Sequence, residues 1–361
     1  MKLNNKNHIT LKDLAKKLRM SPSTISRALG GHPDISPVTK EKVLTLATEL
    51  NYSPNSIAQS LRIKSTKTIG IIVPEIKHNF FSSVISGIED VAYANGYSIM
   101  VCQSNEDFER EVINARALLS NRVAGILISV SQTTTNSDHF KQIQSDGIPL
   151  VFFDRVFDDI GSTTVVVDDF NGAFKAVEHL IQSGYKQIAH LAGPNQLSFS
   201  RNRMLGYLEA LKHYDITVPN NLIVYGGLNE DDGIAGFQKL MELGNHPEAI
   251  FAVNDPVAIG AHGEIRKNGL NIPDDIGLVG FSDDLISSYL NPPLTTMAQP
   301  AYDMGQAAII NLLGQINNNK GDFETKLVVL KTNLIIRESS KRSLSRDDSV
   351  EMHNDYMNKT L

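Results

Sequence analysis

Apolar residues recur at helical spacing in three short blocks at the start of the chain. They then give way to short unbroken apolar runs separated by longer amphipathic stretches. In the first block, Thr10 with Asp13 three residues on predicts an N-cap with a carboxylate in the first turn, where free amides and the helix dipole favour it. Leu11, Leu14, Ala15 and Leu18 follow as one buried stripe. Ser21 caps a second helix and Pro22 sits at its first position, where a missing amide hydrogen costs nothing. At about 100° per residue, burying Ile25 and Leu29 turns Ser23 and Arg27 outward. Ser36 and Pro37 start a third helix by the same chemistry, with Val43, Ala47 and Leu50 facing inward.

The rest of the pattern is different in kind. Residues 68–73, 98–103, 125–130, 149–154, 187–193, 249–253 and 277–281 are short apolar runs, as parallel strands covered on both faces require. Helical patterns at 81–95, 170–183, 201–214 and 255–267 supply crossovers between them. The expected fold is an all-α helix-turn-helix head followed by an α/β doubly wound body. About 270 residues exceed one usual domain, so the body should form two lobes. A weak internal echo agrees, because 92–99 and 181–188 both end a helix at Gly and enter a strand.

Charge separates the same two regions. The chain of 361 residues carries a net charge of -6, yet residues 1–65 hold eleven Lys and Arg against four Asp and Glu, a balance of +7. The remainder holds 23 against 36, a balance of -13. A basic head on an acidic body points to duplex DNA as the head's partner. Arg27 can give a guanine two parallel hydrogen bonds, and Ser23, Thr24 and Ser26 can reach bases or phosphates. An ordinary three-helix bundle without nucleic acid is the bland alternative.

These motifs, together with 52–62 (Y-S-P-N-S-I-A-Q-S-L-R), resemble the lactose repressor (LacI/GalR) family of bacterial transcriptional regulators over about residues 9–338. The resemblance implies DNA contacts by Thr10, Arg19, Ser21, Pro22, Ser23, Thr24, Ser26 and Arg27. It also implies a hinge helix on operator DNA through Asn55, Ala58 and Leu61, with Leu61 as a minor-groove wedge. Asn55 is a good N-cap after Pro54, and Ile57 and Leu61 share a face. So short a helix needs a partner and DNA to form; a plain linker is the alternative. The implied body is a periplasmic-binding-protein-like pair of lobes, with crossings near 160–170, 291–300 and 320–330. The implied effector cleft is lined by Phe80, Phe81, Asp154, Arg203, Asn254 or Asp255, and Ser282 or Asp283, at the carboxyl ends of strands where such folds collect ligands. The implied domains are 1–53 for the head, 54–67 for the hinge, 68–338 for the effector-binding and dimerisation body, and 339–361 for a flexible tail.

Departures limit the ligand assignment. Arg19 stands at a turn where relatives often place Gly or Asn, which tolerate a positive φ more easily. Ser282 stands where many carry aspartate, Leu228 where several place an aromatic ring, and Leu197 and Phe199 occupy a loop that is polar in some members. A sugar or sugar derivative suits the mixture of carboxylate, guanidinium and aromatic groups.

Enzyme signatures are missing from the sequence. Cys102, the single cysteine, lies in an apolar strand and reads as core. No Cys/His metal spacing, P-loop, G-x-G-x-x-G or G-x-S-x-G follows the strands. No cofactor is expected, and no metal. The start lacks an apolar signal core and no run spans a bilayer, so a bacterial cytoplasmic, nucleoid-associated protein without membrane contact is expected. The tail lacks heptads, and a homodimer reading near-palindromic operator DNA is expected, with a carbohydrate effector. A ligand-binding protein with a vestigial DNA role, or a sugar-processing enzyme, are the other readings. The sign of the ligand's effect stays open.

Overall fold

The computed structural model describes residues 9–50, 52, 66–157, 160–217, 220–244, 246–318 and 325–342. It contains two compact units, Met1–Thr66 and Lys67–Leu361.

The first unit has α1 (Leu11–Leu18), α2 (Pro22–Leu29) and α3 (Pro37–Glu49). Thr10 opens α1 with a full capping box: Asp13 Oδ2 accepts from the Thr10 amide at 2.8 Å and from its hydroxyl at 2.7 Å. Ser21 Oγ accepts from the Thr24 amide at 3.1 Å, and Ser36 Oγ accepts from the Thr39 amide at 3.3 Å. Arg19 ends α1 in the left-handed region, with φ 50° and ψ 41°. The turn therefore demands the conformation that glycine or asparagine adopts most readily, and this chain meets it with arginine at a cost of about 1 kcal/mol. Leu14, Ile25 and Val43 are fully buried where the three helices meet.

The second unit consists of two lobes. In one, the sheet order is β11-β5-β4-β3-β1-β2, all parallel, from β1 (Thr68–Val73), β2 (Ser98–Gln103), β3 (Gly125–Ile128), β4 (Leu150–Phe153), β5 (Thr163–Val167) and β11 (Leu327–Leu330). Its helices are α4 (Asn79–Ala94), α5 (Phe108–Ser120), α6 (Asp138–Ser145) and α11 (Ala301–Asn317). The other lobe has the order β12-β10-β9-β8-β6-β7, from β6 (Ile188–Ala192), β7 (Ile223–Tyr225), β8 (Ala249–Ala252), β9 (Gly277–Ser282), β10 (Thr295–Ala298) and β12 (Asn333–Ile335). Only β12 runs antiparallel to its neighbour. Helices α7 (Asp169–Gln182), α8 (Ser198–His213), α9 (Glu230–Glu242) and α10 (Asp255–Lys267) belong to this second lobe.

Helices α4 and α11 touch backbone to backbone. A Cβ on Gly87 would collide with the Tyr302 carbonyl, and one on Gly305 with the Val84 carbonyl, so each helix must be glycine where the other crosses it. The same packing brings α11 under the first sheet although α11 follows β10 of the second.

The chain crosses between lobes at Asp168, at 299–300 and at 331–332. The third crossing lies just beyond the expected 320–330. Three further expectations need correction. β2 is an edge strand with Ser98 and Val101 exposed, so it is not covered on both faces, and Cys102 within it is only half-buried. The flexible tail does not begin at 339: Ser339 and Ser340 are buried, and Ser339 Oγ donates to the Leu278 carbonyl at 2.6 Å. A polar pair of serines reads as tail in sequence, but here their hydroxyls close the end of the second sheet. Finally, β5, β7, β10, β11 and β12 were not anticipated: β5, β7, β11 and β12 are only partly covered, and β5 and β10 each open on two threonines, so they depart from the apolar run of a strand covered on both faces.

Candidate functional site

The head presents one polar face. Ile25 and Ala28 of α2 point inward, leaving Ser23 and Arg27 exposed and Thr24 and Ser26 half-buried. Ser21, Pro22 and Arg19 are exposed at the start of the helix. Part of the polar inventory is already committed, because Ser21 Oγ lies 2.7 Å from Ser23 Oγ and 2.9 Å from Thr24 Oγ1. Thr10 is occupied by its capping box. That leaves Arg27 as the exposed side chain of α2 with the longest reach and the most donors. Asn55, Ala58 and Leu61 lie outside the described residues.

In the second unit, the carboxyl ends of both sheets face each other across a cavity of about 360 Å³. Phe80 and Phe81 at the start of α4 line it, packed edge to face with centroids 5.1 Å apart. Asp154 follows β4 with φ 59°, a left-handed bend that swings its carboxyl into the cleft. Burial raises the Asp154 carboxyl above its ordinary range, and Arg155 and Arg203 pull it back. Arg203 on α8 has Nε and one terminal nitrogen each 2.8 Å from Asp169 Oδ1, while its other terminal nitrogen donates to the Val253 carbonyl at 2.7 Å. Its guanidinium carbon lies 3.6 Å from the centre of the Phe281 ring and 4.8 Å from that of Phe199. Burial pushes the Asp169 carboxyl up to about 6, with the Arg203 charge working the other way.

The two alternatives left open at strand ends are now separated. Asn254 lines the cleft and caps α10, accepting from the Val257 amide at 2.9 Å and donating to the Leu228 carbonyl at 2.9 Å. Asp255 does not line it. Fully buried beneath, it accepts from Thr296 Oγ1 at 2.6 Å, Ser287 Oγ at 2.6 Å and the Asp284 amide at 2.7 Å. Ser282 lines the cleft and donates to Gln299 Oε1 at 2.9 Å, whereas Asp283 turns away to Arg337 at 2.7 Å. A residue one position further along a strand end points to the other side, and only the backbone decides which is which.

Several cleft residues escaped the sequence reading. Arg155 is adjacent to Asp154 and donates to both oxygens of Glu106, at 2.7 and 2.8 Å. Among the described residues its buried Nε has no hydrogen-bond partner, and neither has Gln299 Nε2. Gln103 ends β2 and Asn105 and Glu106 lie in the turn after it; the strand is as expected, 98–103, but its carboxyl end was not among the expected cleft positions. Gln299 follows the unforeseen β10.

The cleft mouth is bridged from lobe to lobe. Lys77 Nζ is 3.0 Å and His78 Nε2 3.3 Å from Glu230 Oε1 on α9, while His78 Nδ1 is 2.9 Å from Glu75 Oε1. Gln196 Nε2 donates to the Gln132 carbonyl at 3.0 Å, and the Asn79 amide donates to Asp284 Oδ2 at 3.4 Å. The hydrogen bond to Glu75 raises the His78 imidazole, outweighing its partial burial. Burial works to raise Glu75, but its bonds from His78 and the Lys77 amide hold it below the ordinary carboxylate range. Among the described residues no group of His, Cys, Asp and Glu is arranged to hold a metal ion, and no helix is long and apolar enough to cross a membrane.

A helix-turn-helix head joined to a two-lobed α/β body with its cleft at the strand ends defines a class of ligand-controlled DNA-binding proteins. Residues 10–55 match the family described as bacterial regulatory proteins, lacI family, and residues 177–340 match the periplasmic binding protein-like domain. The chain is 32% identical over 330 residues to the ribose operon repressor of Haemophilus influenzae, covering 91% of this chain and 98% of that one. It superposes on the lac repressor dimer bound to operator and the anti-inducer ONPF with a TM-score of 0.81 at 28% identity, over 92% of this chain and 99% of that one. A LacI family regulator from Enterococcus faecium with bound ribose matches with a TM-score of 0.68 at 27% identity, over 77% and 100% of the two chains. The chain belongs to the lacI family of bacterial regulatory proteins. It is a DNA-binding transcriptional regulator controlled by a small molecule.

Proposed function

We propose that this regulator is a repressor whose effector is a sugar or sugar derivative of monosaccharide size. The observation that carries the reading is the chemistry of the cleft. Its volume of about 360 Å³ sits at the small end of ligand pockets, which run from about 300 to 1,000 Å³. Its walls offer a carboxylate at Asp154, unpaired donors at Arg155 Nε and Gln299 Nε2, amide groups at Asn254, and ring faces at Phe81 and Phe199. A hydroxyl both donates and accepts, so a ring bearing several of them answers such a mixture while its C–H face packs on the aromatics. The ribose bound in the Enterococcus faecium regulator and the name of the Haemophilus influenzae relative support a pentose as the first candidate.

On the output side, two heads of a homodimer read near-palindromic operator DNA in the bacterial cytoplasm. Arg27 and Ser23 enter the major groove, while Asn55, Ala58 and Leu61 act at the minor groove. Lobe closure on the sugar biases the hinge between DNA-competent and DNA-incompetent states, to the extent that the two states differ in sugar affinity.

Genomic footprinting of the purified full-length protein, with and without pentoses and hexoses at fixed salt, tests both halves. Protection of a palindromic site that changes with one sugar is the expected result. Tight binding of a nucleobase with no response to any sugar would remove the effector assignment, and sustained turnover of a bound sugar would make the protein an enzyme.

A further inference from the structure

Among the described residues, every cation facing the cleft is already matched by a carboxylate of the protein itself. Arg155 is held by both oxygens of Glu106, at 2.7 and 2.8 Å. Arg203 is held by Asp169 through two nitrogens at 2.8 Å. At the mouth, Lys77 and His78 share Glu230, and His78 also meets Glu75. Asp154 adds a further carboxylate, 3.7 Å from the Arg155 Nε whose guanidinium Glu106 already holds. Asp284 adds another, tied to the backbone amides of Asn79 and Ile286. Among the described residues, then, five carboxylates stand against four cations even when His78 is protonated and the Asp154 carboxyl is neutral, and six when Asp154 is charged.

Of the helix ends at the cleft, the other usual source of positive potential, three are answered from within, while α8 opens at Leu197 without a side-chain cap. The Asn79 amide at the start of α4 goes to Asp284, the Val257 amide of α10 to Asn254, and the Asp232 amide of α9 to Asn229. A phosphate brings roughly -1.5 to -2 charges and acceptors only. Bound here it would have to displace a buried carboxylate from its guanidinium or sit beside the excess negative charge.

We propose that the cleft admits an uncharged polyol and excludes its phosphate ester, and that Glu106 and Asp169 are the residues that set this selectivity by neutralising Arg155 and Arg203 from inside. The inference rests on the effector reading above and narrows it. The regulator then senses a sugar before phosphorylation, so that a sugar kinase reaction would consume the signal.

Titration calorimetry on the full-length protein tests it, with free ribose and other free pentoses against their 5-phosphates, and free nucleosides against their 5′-monophosphates. The phosphate of whichever compound binds is expected to bind at least about a hundredfold more weakly, the scale of an unmatched charge a few ångströms away at an effective dielectric near 20. Glu106→Gln keeps an acceptor for the Gln132 amide, which now meets Glu106 Oε2 at 2.8 Å, but frees the Arg155 charge. It should narrow the gap between free and phosphorylated ligand by about tenfold or more. Glu106→Asp, which retains the charge, should keep the gap. A phosphate that binds as tightly as its parent compound overturns the proposal, as does a Glu106→Gln variant that binds the free compound with an unchanged gap. If the ligand proves to be a nucleoside whose monophosphate is rejected, the sugar assignment fails and the exclusion of phosphate stands.

Discussion

Replacing Asp255 separates scaffold from site. The residue sits next to the cleft-lining Asn254, yet its carboxylate is fully buried and spent on Thr296 Oγ1, Ser287 Oγ and the Asp284 amide. Burial pushes its carboxyl up to about 6, against the pull of the hydroxyl and amide donors. In Asp255→Asn the amide oxygen keeps one side of this cage and the Thr296 hydroxyl can turn to accept on the other; the lost bond costs about 1 kcal/mol, less than the relief of the buried charge, so the variant should be no less stable than wild type at neutral pH. Asp255→Ala strands three donors at roughly 1 to 2 kcal/mol each. Relief of the buried charge returns about 3 kcal/mol for two pK units at pH 7, so the net loss there is only about 2 kcal/mol.

The pH dependence identifies the mechanism. A carboxyl whose folded pKa lies above its unfolded value binds its proton more tightly when folded, so stability is gained as pH falls through 6 and withheld above it. Wild type should therefore gain about 1.3 kcal/mol relative to Asp255→Asn between about pH 7 and about pH 5. The chain has no tryptophan, so urea unfolding is best followed by far-UV circular dichroism. Because the head is a separate unit, the transition of the second unit is the one to fit. Sugar affinity of Asp255→Asn should stay within about threefold of wild type, the scatter expected of a residue that makes no ligand contact. A hundredfold loss of affinity with an unchanged midpoint and no pH-dependent difference would refute the reasoning and return Asp255 to the cleft wall.

Other outcomes follow from the same geometry. Glu230→Gln removes the charge that Lys77 and His78 share across the mouth; as the pair is partly exposed, sugar affinity should fall only about threefold. Because contact with Glu75 and Glu230 raises the His78 imidazole, the contribution of its charge is complete at low pH and is lost as pH rises through that raised value. A calorimetric pH series in which the Glu230→Gln effect grows toward alkaline pH would be the wrong sign. His190 lies between Phe251 and Tyr207, donates through Nδ1 to the Phe251 carbonyl at 2.9 Å, and is pushed by burial down to about 4. Its depressed pKa costs the second unit about 2 kcal/mol between about pH 7 and about pH 5, a loss that His190→Phe should abolish in urea titrations at the two pH values. Gly260 meets the Glu230 carbonyl so closely that Gly260→Ala must push α9 off α10. Lower stability together with weaker sugar binding is expected, and an unchanged melting curve would contradict the contact. Arg27→Ala should lower affinity for the specific site by about 1 to 3 kcal/mol with little change in non-specific binding, measured by gel shift at fixed salt.

The head was almost entirely legible because its signals are local. Caps at Thr10, Ser21 and Ser36, a proline at the first position of α2, and the Leu14, Ile25 and Val43 positions each act within a few residues of chain. The α/β alternation of the body was legible for the same reason, where runs were long enough. The cleft was legible only in part. The family resemblance implied Phe80, Phe81, Asp154 and Arg203 in the cleft, but neighbours one residue apart face opposite ways, so Asn254 could not be told from Asp255 or Ser282 from Asp283.

By itself, then, the sequence determined the three helices of the head, seven strands of the body, the order of the two units, and the asymmetry of a basic head and an acidic body. Tertiary structure alone decided which charges meet. Glu106 finds Arg155 across 49 positions, Glu230 finds Lys77 across 153, and Asp169 finds Arg203 across 34. No local pattern encodes such pairs, since they exist only once two sheets bring their carboxyl ends together, and they give the cleft its charge.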